Sequence, residues 1–215
     1  MPLKAVIFDC DGVLVDSEGM SEEVISTNLA RHGLHLAPDR VSALFLGGTI
    51  SGVGDTARSM GADLPADWLD GIYGEIFARL AQGTPLVAGV TSVLDALDRA
   101  GITYGVGSNG SHQKMGITLG QHPDIYDRLK GRLFSRHDVS APKPDPALYL
   151  HAAAALRAAP ADCVVIEDSP TGCIAAARAG IRCFGYAPHD NGDRLAAEAA
   201  TVFHHMAELP QLLGV

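Results

Sequence analysis

From Val87 onward the sequence alternates short apolar runs with helical stretches, and no other feature narrows the fold as far. Strands separated by helices are joined by crossovers, so they run parallel in a sheet with helices on both faces. A first strand ends at Phe8, and further strands are predicted at residues 102–107, 133–135, 163–166, 182–186 and 201–203. Helices are predicted over 91–100, closed by Gly101, after Ser111 as an N-cap, and over 171–179, closed by Gly180. Asp145-Pro146 reads as an N-cap followed by proline at the first helical position, opening a helix to about residue 157.

Between the first strand and Val87 the texture is helical throughout. Helices are predicted at 17–34, 38–45, 49–60 and 65–81. In the last of these, Trp68, Ile72, Ile76 and Leu80 recur every four residues as one apolar stripe, and Gly83-Thr84-Pro85 ends it. Residues 17–83 are therefore expected to form an all-helical domain inserted into an α/β domain made of 1–16 and 84–215.

Polar residues gather at the ends of the predicted strands. Val6-Ile7-Phe8 runs into Asp9-Cys10-Asp11-Gly12; later strands lead to Ser108-Asn109, Lys143 and Glu167-Asp168. In a parallel sheet all strand C-termini lie on one edge, the edge where open α/β sheets bind ligands. Two carboxylates at the mouth of a buried strand repel unless a cation or charged substrate compensates. Asp9, Asp11, Glu167 and Asp168 set four potential negative charges against one lysine, which would repel a phosphate outright. A hard divalent cation with oxygen ligands reverses that, and Mg²⁺ fits, because it takes one or two carboxylates together with waters and substrate phosphate oxygens. No Cys or His stands at zinc-ligand spacing nearby. A Ser108 hydroxyl followed by backbone amides suits a phosphoryl oxygen, and Lys143, held between Pro142 and Pro144, suits its charge. Taken singly, each residue also has an ordinary reading as a turn, a cap or a surface lysine. All four groups at successive strand ends do not.

Composition removes other classes. Hydrophobic residues make up 47% and charged residues 19% of the 215, enough for a sizeable core and too apolar for general disorder. A net charge of -9 offers no field for nucleic acid, and the short cluster Arg128, Lys130, Arg132, Arg136 reads as a solvated face. No apolar run reaches membrane-spanning length and no secretory signal is read, so a cytoplasmic protein is expected. Cys10, Cys163, Cys173 and Cys183 show no paired spacing and read as buried thiols in a reducing compartment. His204-His205 reads as structural. A monomer is the default.

The motifs Phe8-Asp9-Cys10-Asp11-Gly12-Val13-Leu14-Val15-Asp16-Ser17, Gly107-Ser108-Asn109-Gly110, Pro142-Lys143-Pro144-Asp145-Pro146 and Glu167-Asp168-Ser169-Pro170-Thr171-Gly172 occur in order. With them the chain resembles haloacid dehalogenase-like (HAD) superfamily phosphohydrolases of the β-phosphoglucomutase-like branch over essentially its whole length. Ser108-Asn109-Gly110 with Lys114-Met115, then Lys143 to Leu148, is similar to the bacterial sugar-phosphate phosphatases of the 6-phosphogluconate type. The resemblance implies a Rossmann-like parallel sheet core covered by helices, with a helical cap inserted after the first strand. It implies that Asp9 is the nucleophile, forming an aspartyl-phosphate, and that Asp11 protonates the leaving alcohol and then activates water. It further implies that Ser108 and Asn109 bind the phosphoryl group and that Lys143 neutralises it. Asp9, the Asp11 carbonyl and Asp168 would ligate Mg²⁺, with Glu167 at the metal or its waters. The expected partner is a small phosphomonoester, with specificity set in the cap around Gly47, Gly48 and Thr49.

Four other readings meet objections in the sequence. Asp11 counts against a dehalogenase, and the lysine-free insert against phosphonoacetaldehyde hydrolase, which needs a Schiff-base lysine there. A β-phosphoglucomutase-type mutase must hold a second phosphate, and the insert carries four arginines against nine acids, with none in Leu46–Ser51. A non-catalytic partner-binding descendant would be expected to lose part of the set Asp9, Asp11, Ser108, Lys143 and Asp168, which is complete.

Overall fold

A computed structural model describes residues 3–37, 40–41, 49–198 and 200–215. The chain divides into two compact units, one made of Met1–Asp16 and Pro85–Val215, the other of Ser17–Thr84.

The larger unit is built on a six-stranded parallel sheet. Its strands are β1 (Ala5–Phe8), β2 (Thr103–Ser108), β3 (Leu133–Ser135), β4 (Cys163–Glu167), β5 (Arg182–Tyr186) and β6 (Thr201–Phe203), in the order β3-β2-β1-β4-β5-β6. The order reverses at β1, which pairs with β2 on one side and β4 on the other, so Phe8 lies between Val106 and Ile166. β1 is buried on both faces, as a central strand of a helix-covered sheet must be. Its side chains alternate between two cores. Val6 and Phe8 join the cluster that holds Leu94, Leu97, Met115, Leu119 and Leu129. Ala5 and Ile7 join the other, with Leu148, Tyr149, Ala152, Cys173 and Ala176.

The α/β expectation is met with small shifts. β2 and β4 each reach one residue further than expected, to Ser108 and Glu167. The helix after Asp145-Pro146 spans Ala147–Ala155 with Pro146 at the cap position, and Asp145 serves the end by accepting from the Ala147 N–H at 2.9 Å. Short helices at Pro123–Leu129, Asp193–Ala197 and Leu209–Leu213 were not foreseen. All four cysteines are buried and unbridged. The basic cluster is partly neutralised, since Arg128 pairs with Asp95 at 2.7 Å and the Arg132 guanidinium lies over the Tyr104 ring. His204 Nδ1–H donates to the Ala187 carbonyl at 2.6 Å. Among the described residues no helix is long and apolar enough to cross a membrane.

In the smaller unit the described helices are Glu18–Arg31, Ile50–Ser59 and Trp68–Leu80. The four-residue stripe is buried as the spacing requires, with Trp68, Ile72, Ile76 and Leu80 all inside. A polar seam adds direction to that packing: Trp68 Nε1–H donates to Asn28 Oδ1 at 2.7 Å and Asn28 Nδ2–H to Glu75 Oε1 at 3.0 Å. Arg31 closes the seam by pairing with Glu75. The helix expected at 38–45 falls largely outside the described residues.

Candidate active site

The C-terminal edge of the sheet collects the polar groups of the larger unit. At β1 the ladder continues one step past the strand, the Asp9 N–H donating to the Ile166 carbonyl at 2.9 Å. A tight turn follows, closed by Gly12 N–H to Val15 O at 2.8 Å and by two bonds to the Cys10 carbonyl. Gly12 has φ +75, and a Cβ built there would overlap the Asp168 carboxylate. Only glycine meets both demands, so the turn at the end of β1 and the carboxylate after β4 can sit against one another.

Lys143 is anchored at both ends. Its backbone is clamped by the Asn109 side chain, which accepts from Lys143 N–H at 3.0 Å and donates to the Lys143 carbonyl at 3.3 Å. Its ammonium is 2.6 Å from Asp9 Oδ1 and 2.7 Å from Glu167 Oε1, and lies 4.6 Å from the centre of the Tyr149 ring. Asn109, expected as a phosphate ligand, thus has its side-chain amide engaged in holding Lys143. Ser108 is buried at the end of β2, and its Oγ accepts from the Gly110 N–H at 2.9 Å.

Glu167, at the end of β4, is held by hydrogen bonds on both of its oxygens. Its Oε1 accepts from Lys143 Nζ and, at 2.9 Å, from the Tyr149 hydroxyl. Its Oε2 accepts from Asp168 N–H at 3.0 Å and from the Ser169 N–H and hydroxyl at 2.8 Å each. Five donors fill a carboxylate's acceptor positions. Glu167 thus forms a buried socket for Lys143. A Cβ at Gly172 would overlap its carboxylate, so that glycine is what lets the helix Pro170–Arg178 start this close to it.

Two carboxylates share one ammonium, and the surplus negative charge falls on Asp9. Burial pushes its carboxyl up to about 7, against the pull of Lys143 and with the added push of Glu167 and Asp11. Burial also works to raise Glu167, but Lys143 and the Ser169 donors hold it below the ordinary glutamate value. Lys143, which burial alone would neutralise, is kept charged and above the usual lysine range by the same two acids.

The expected inventory of one lysine was incomplete. Lys114 Nζ lies 2.9 Å from Asp11 Oδ2. Burial acts to lower its ammonium, but Asp11 holds it above the ordinary lysine value by charge and hydrogen bond. Tyr149 and Ser169 were likewise missed. Lys114 is three residues beyond the Ser111 cap, in the first turn of the helix that follows β2, a spacing that could have placed it at the same edge.

Among the described residues no three His, Cys, Asp or Glu side chains converge as a ready metal cluster. The donor set nevertheless fits a hard cation. Asp9 is buried and shares the Lys143 ammonium with Glu167, and the Asp168 carboxylate lies against the turn at Gly12. Two carboxylates with backbone oxygen and water is the set Mg²⁺ prefers. In the smaller unit Thr49 caps its helix, Oγ1 accepting from Gly52 N–H at 3.1 Å; Gly47 and Gly48 lie outside the described residues.

Residues 3–180 match the family model of the haloacid dehalogenase-like hydrolases. The chain belongs to this family. Among curated members, it is 30% identical to 6-phosphogluconate phosphatase of Escherichia coli over 98% of this chain and 94% of that one. It is 32% identical to hexitol phosphatase A of the same organism, over 84% and 81%. A family hydrolase from Deinococcus radiodurans, solved with bound phosphate and sodium, superposes with a TM-score of 0.82 at 33% identity, covering 99% of this chain and 96% of that one. A haloacid dehalogenase-like protein of Agrobacterium tumefaciens superposes at 0.87 and 29% identity, covering 99% and 98%.

Proposed function

We propose that the protein is a Mg²⁺-dependent phosphatase that hydrolyses a small phosphomonoester through an aspartyl-phosphate on Asp9. The observation that carries this reading is the buried triad of Asp9, Lys143 and Glu167. Glu167 fixes and matches the lysine's charge, which leaves Asp9 as the group with an unmet need for positive charge. An Asp9 oxygen attacks phosphorus, forming the O–P bond as the bond to the leaving oxygen breaks. Asp11 gives that oxygen its proton, then takes one from the water that hydrolyses the aspartyl-phosphate. Ser108 Oγ and the amides after it orient the phosphoryl oxygens, and Lys143 neutralises charge on Asp9 and the transferring group. Mg²⁺, held by Asp9, Asp168 and the Asp11 carbonyl, would supply charge neutralisation between carboxylate and phosphate.

The named activities of its relatives on 6-phosphogluconate and hexitol phosphates favour a sugar phosphate or similar metabolite. Residues 17–83 would act as the cap that selects it. Hydrolysis is favoured over mutase chemistry because three of the cap's arginines are engaged inside the cap: Arg31 with Glu75, Arg58 with Asp55 and the Pro65 carbonyl, and Arg79 with the Met20 sulfur. A second phosphate would need such cations. Turnover of a phosphorylated-metabolite panel with Mg²⁺ and with EDTA tests the proposal. Activity that needs Mg²⁺ and is lost in Asp9→Asn is expected; full turnover by folded Asp9→Asn would overturn it.

A further inference from the structure

Lys114 has no part in the reaction derived above, yet it touches a residue that does. Its N–H is held by the Ser111 hydroxyl at 3.1 Å, which fixes the start of its side chain in the first turn of the helix His112–Leu119. Its ammonium is 2.9 Å from Asp11 Oδ2, with 21% of the lysine and 20% of the aspartate side chain exposed. The stem follows the same path. A Cβ built at Gly110 would lie 3.1 Å from Ser108 Oγ, 3.5 Å from Lys114 Cδ and 3.6 Å from Asp11 Oδ2. The lysine stem, the acid and the serine hydroxyl thus converge on one spot above Gly110.

The pair is mostly buried and joins the start of the helix His112–Leu119 to the turn after β1, and the group it holds there is the acid of the reaction. A proton carrier must stay within hydrogen-bond reach of the oxygen it serves, and an aspartate at the mouth of a site has solvent into which it can turn. We propose that Lys114 is a positioning residue that pins the Asp11 carboxylate beside Ser108, at the edge of the phosphoryl site from which the leaving group departs. This rests on the reading of Asp11 as proton carrier. Lys114 itself neither transfers the proton nor binds phosphate.

The test separates leaving groups. A proton carrier matters for an alkyl phosphate, whose alkoxide leaves poorly, and little for p-nitrophenyl phosphate, whose phenolate leaves unaided. kcat/KM reports the step in which the leaving group departs. It would be measured with Mg²⁺ for both substrates in the wild type, Lys114→Met, Lys114→Arg, Asp11→Asn and the double variant Asp11→Asn/Lys114→Met. For Lys114→Met the loss on the alkyl phosphate should exceed that on p-nitrophenyl phosphate by at least about tenfold, on the scale of a misplaced catalytic group. Lys114→Arg should recover most of it. The double variant should lose no more than Asp11→Asn alone, because a residue acting through Asp11 has nothing left to position. Equal losses on the two substrates in Lys114→Met, or additive losses in the double variant, would overturn the proposal and make Lys114 a phosphate ligand or a folding residue. A leaving-group split in Asp11→Asn with none in Lys114→Met overturns the role of Lys114 alone. No split in Asp11→Asn overturns the reading of Asp11, and the proposal with it.

Discussion

Replacing Asp9 by asparagine should stabilise the metal-free protein while abolishing turnover. Asp9 Oδ1 sits 2.6 Å from an ammonium whose charge Glu167 already matches. The amide keeps an oxygen that accepts from Lys143 and removes the surplus negative charge. The carboxyl is pushed up to about 7 in the fold from an ordinary 3.8, a gap worth roughly 4 kcal/mol at 1.36 kcal/mol per tenfold change. The sign follows from which state holds the proton. Between about pH 4 and 7 the folded chain keeps a proton that the unfolded chain has released, so stability from this group falls as pH rises through that window. The Asp9→Asn protein has no such slope at this position. The two should therefore be nearly equal near pH 4 and differ by about 2–4 kcal/mol at pH 8, the lower figure allowing for an amide N–H₂ buried among other donors. Urea unfolding in EDTA at pH 5 and pH 8 measures the difference. Saturating Mg²⁺ should shrink it at pH 8, because the cation then compensates Asp9. An Asp9→Asn protein no more stable than wild type at pH 8, or an advantage that does not grow with pH, would refute the reasoning.

Lys143→Met leaves two buried carboxylates without their cation and should cost about 3–5 kcal/mol at pH 8, less at pH 5 where one of them protonates; thermal melts at the two pH values check it, and a pH-independent loss counts against the triad as described. Tyr149→Phe keeps the ring beneath Lys143 and removes one of the donors to Glu167, for an expected loss of about 1–2 kcal/mol and a modest fall in kcat. Calorimetry and steady-state kinetics read both, and an unchanged melt would show that Glu167 does not need that donor. Gly172→Ala and Gly116→Ala should move in opposite directions although both add a methyl to a helix. The first drives a Cβ into Glu167 and should cost at least about 2 kcal/mol, whereas the second meets nothing within 4 Å and should gain up to about 1 kcal/mol; urea unfolding of the two variants checks the signs.

Much of this architecture is legible in the sequence because single interactions dictate it. The Trp68 stripe has a helical period, the strands are apolar runs bounded by turns, and parallel strands must deliver Asp9, Ser108 and Glu167 to one edge. What was not legible depends on contacts between elements. Lys114 looks like any helix lysine until the helix His112–Leu119 is placed beside the Gly12 turn. Tyr149 looks like core until its hydroxyl is seen to reach Glu167. The helix Pro123–Leu129 is too short to show a period. Glu167 and Asp168 are adjacent acids in the sequence, and only the fold shows that the first meets Lys143 while the second lies against the Gly12 turn.

The chain leaves and re-enters the larger unit at one narrow neck. Asp16 N–H donates to the Pro85 carbonyl at 2.9 Å, Val87 N–H to Leu14 O at 3.0 Å, and Val15 bridges Leu86 in antiparallel fashion. The seam is closed by the larger unit's own backbone, so the sheet is indifferent to what is spliced between its two sides. Lengthening such an excursion costs little, about 0.6 kcal/mol for each doubling. A neck of this kind turns residues 17–84 into an exchangeable cassette. Changes of length or sequence within it leave these three backbone links intact, so on the proposed reading selectivity can change while the groups from Asp9 to Asp168 keep their chemistry.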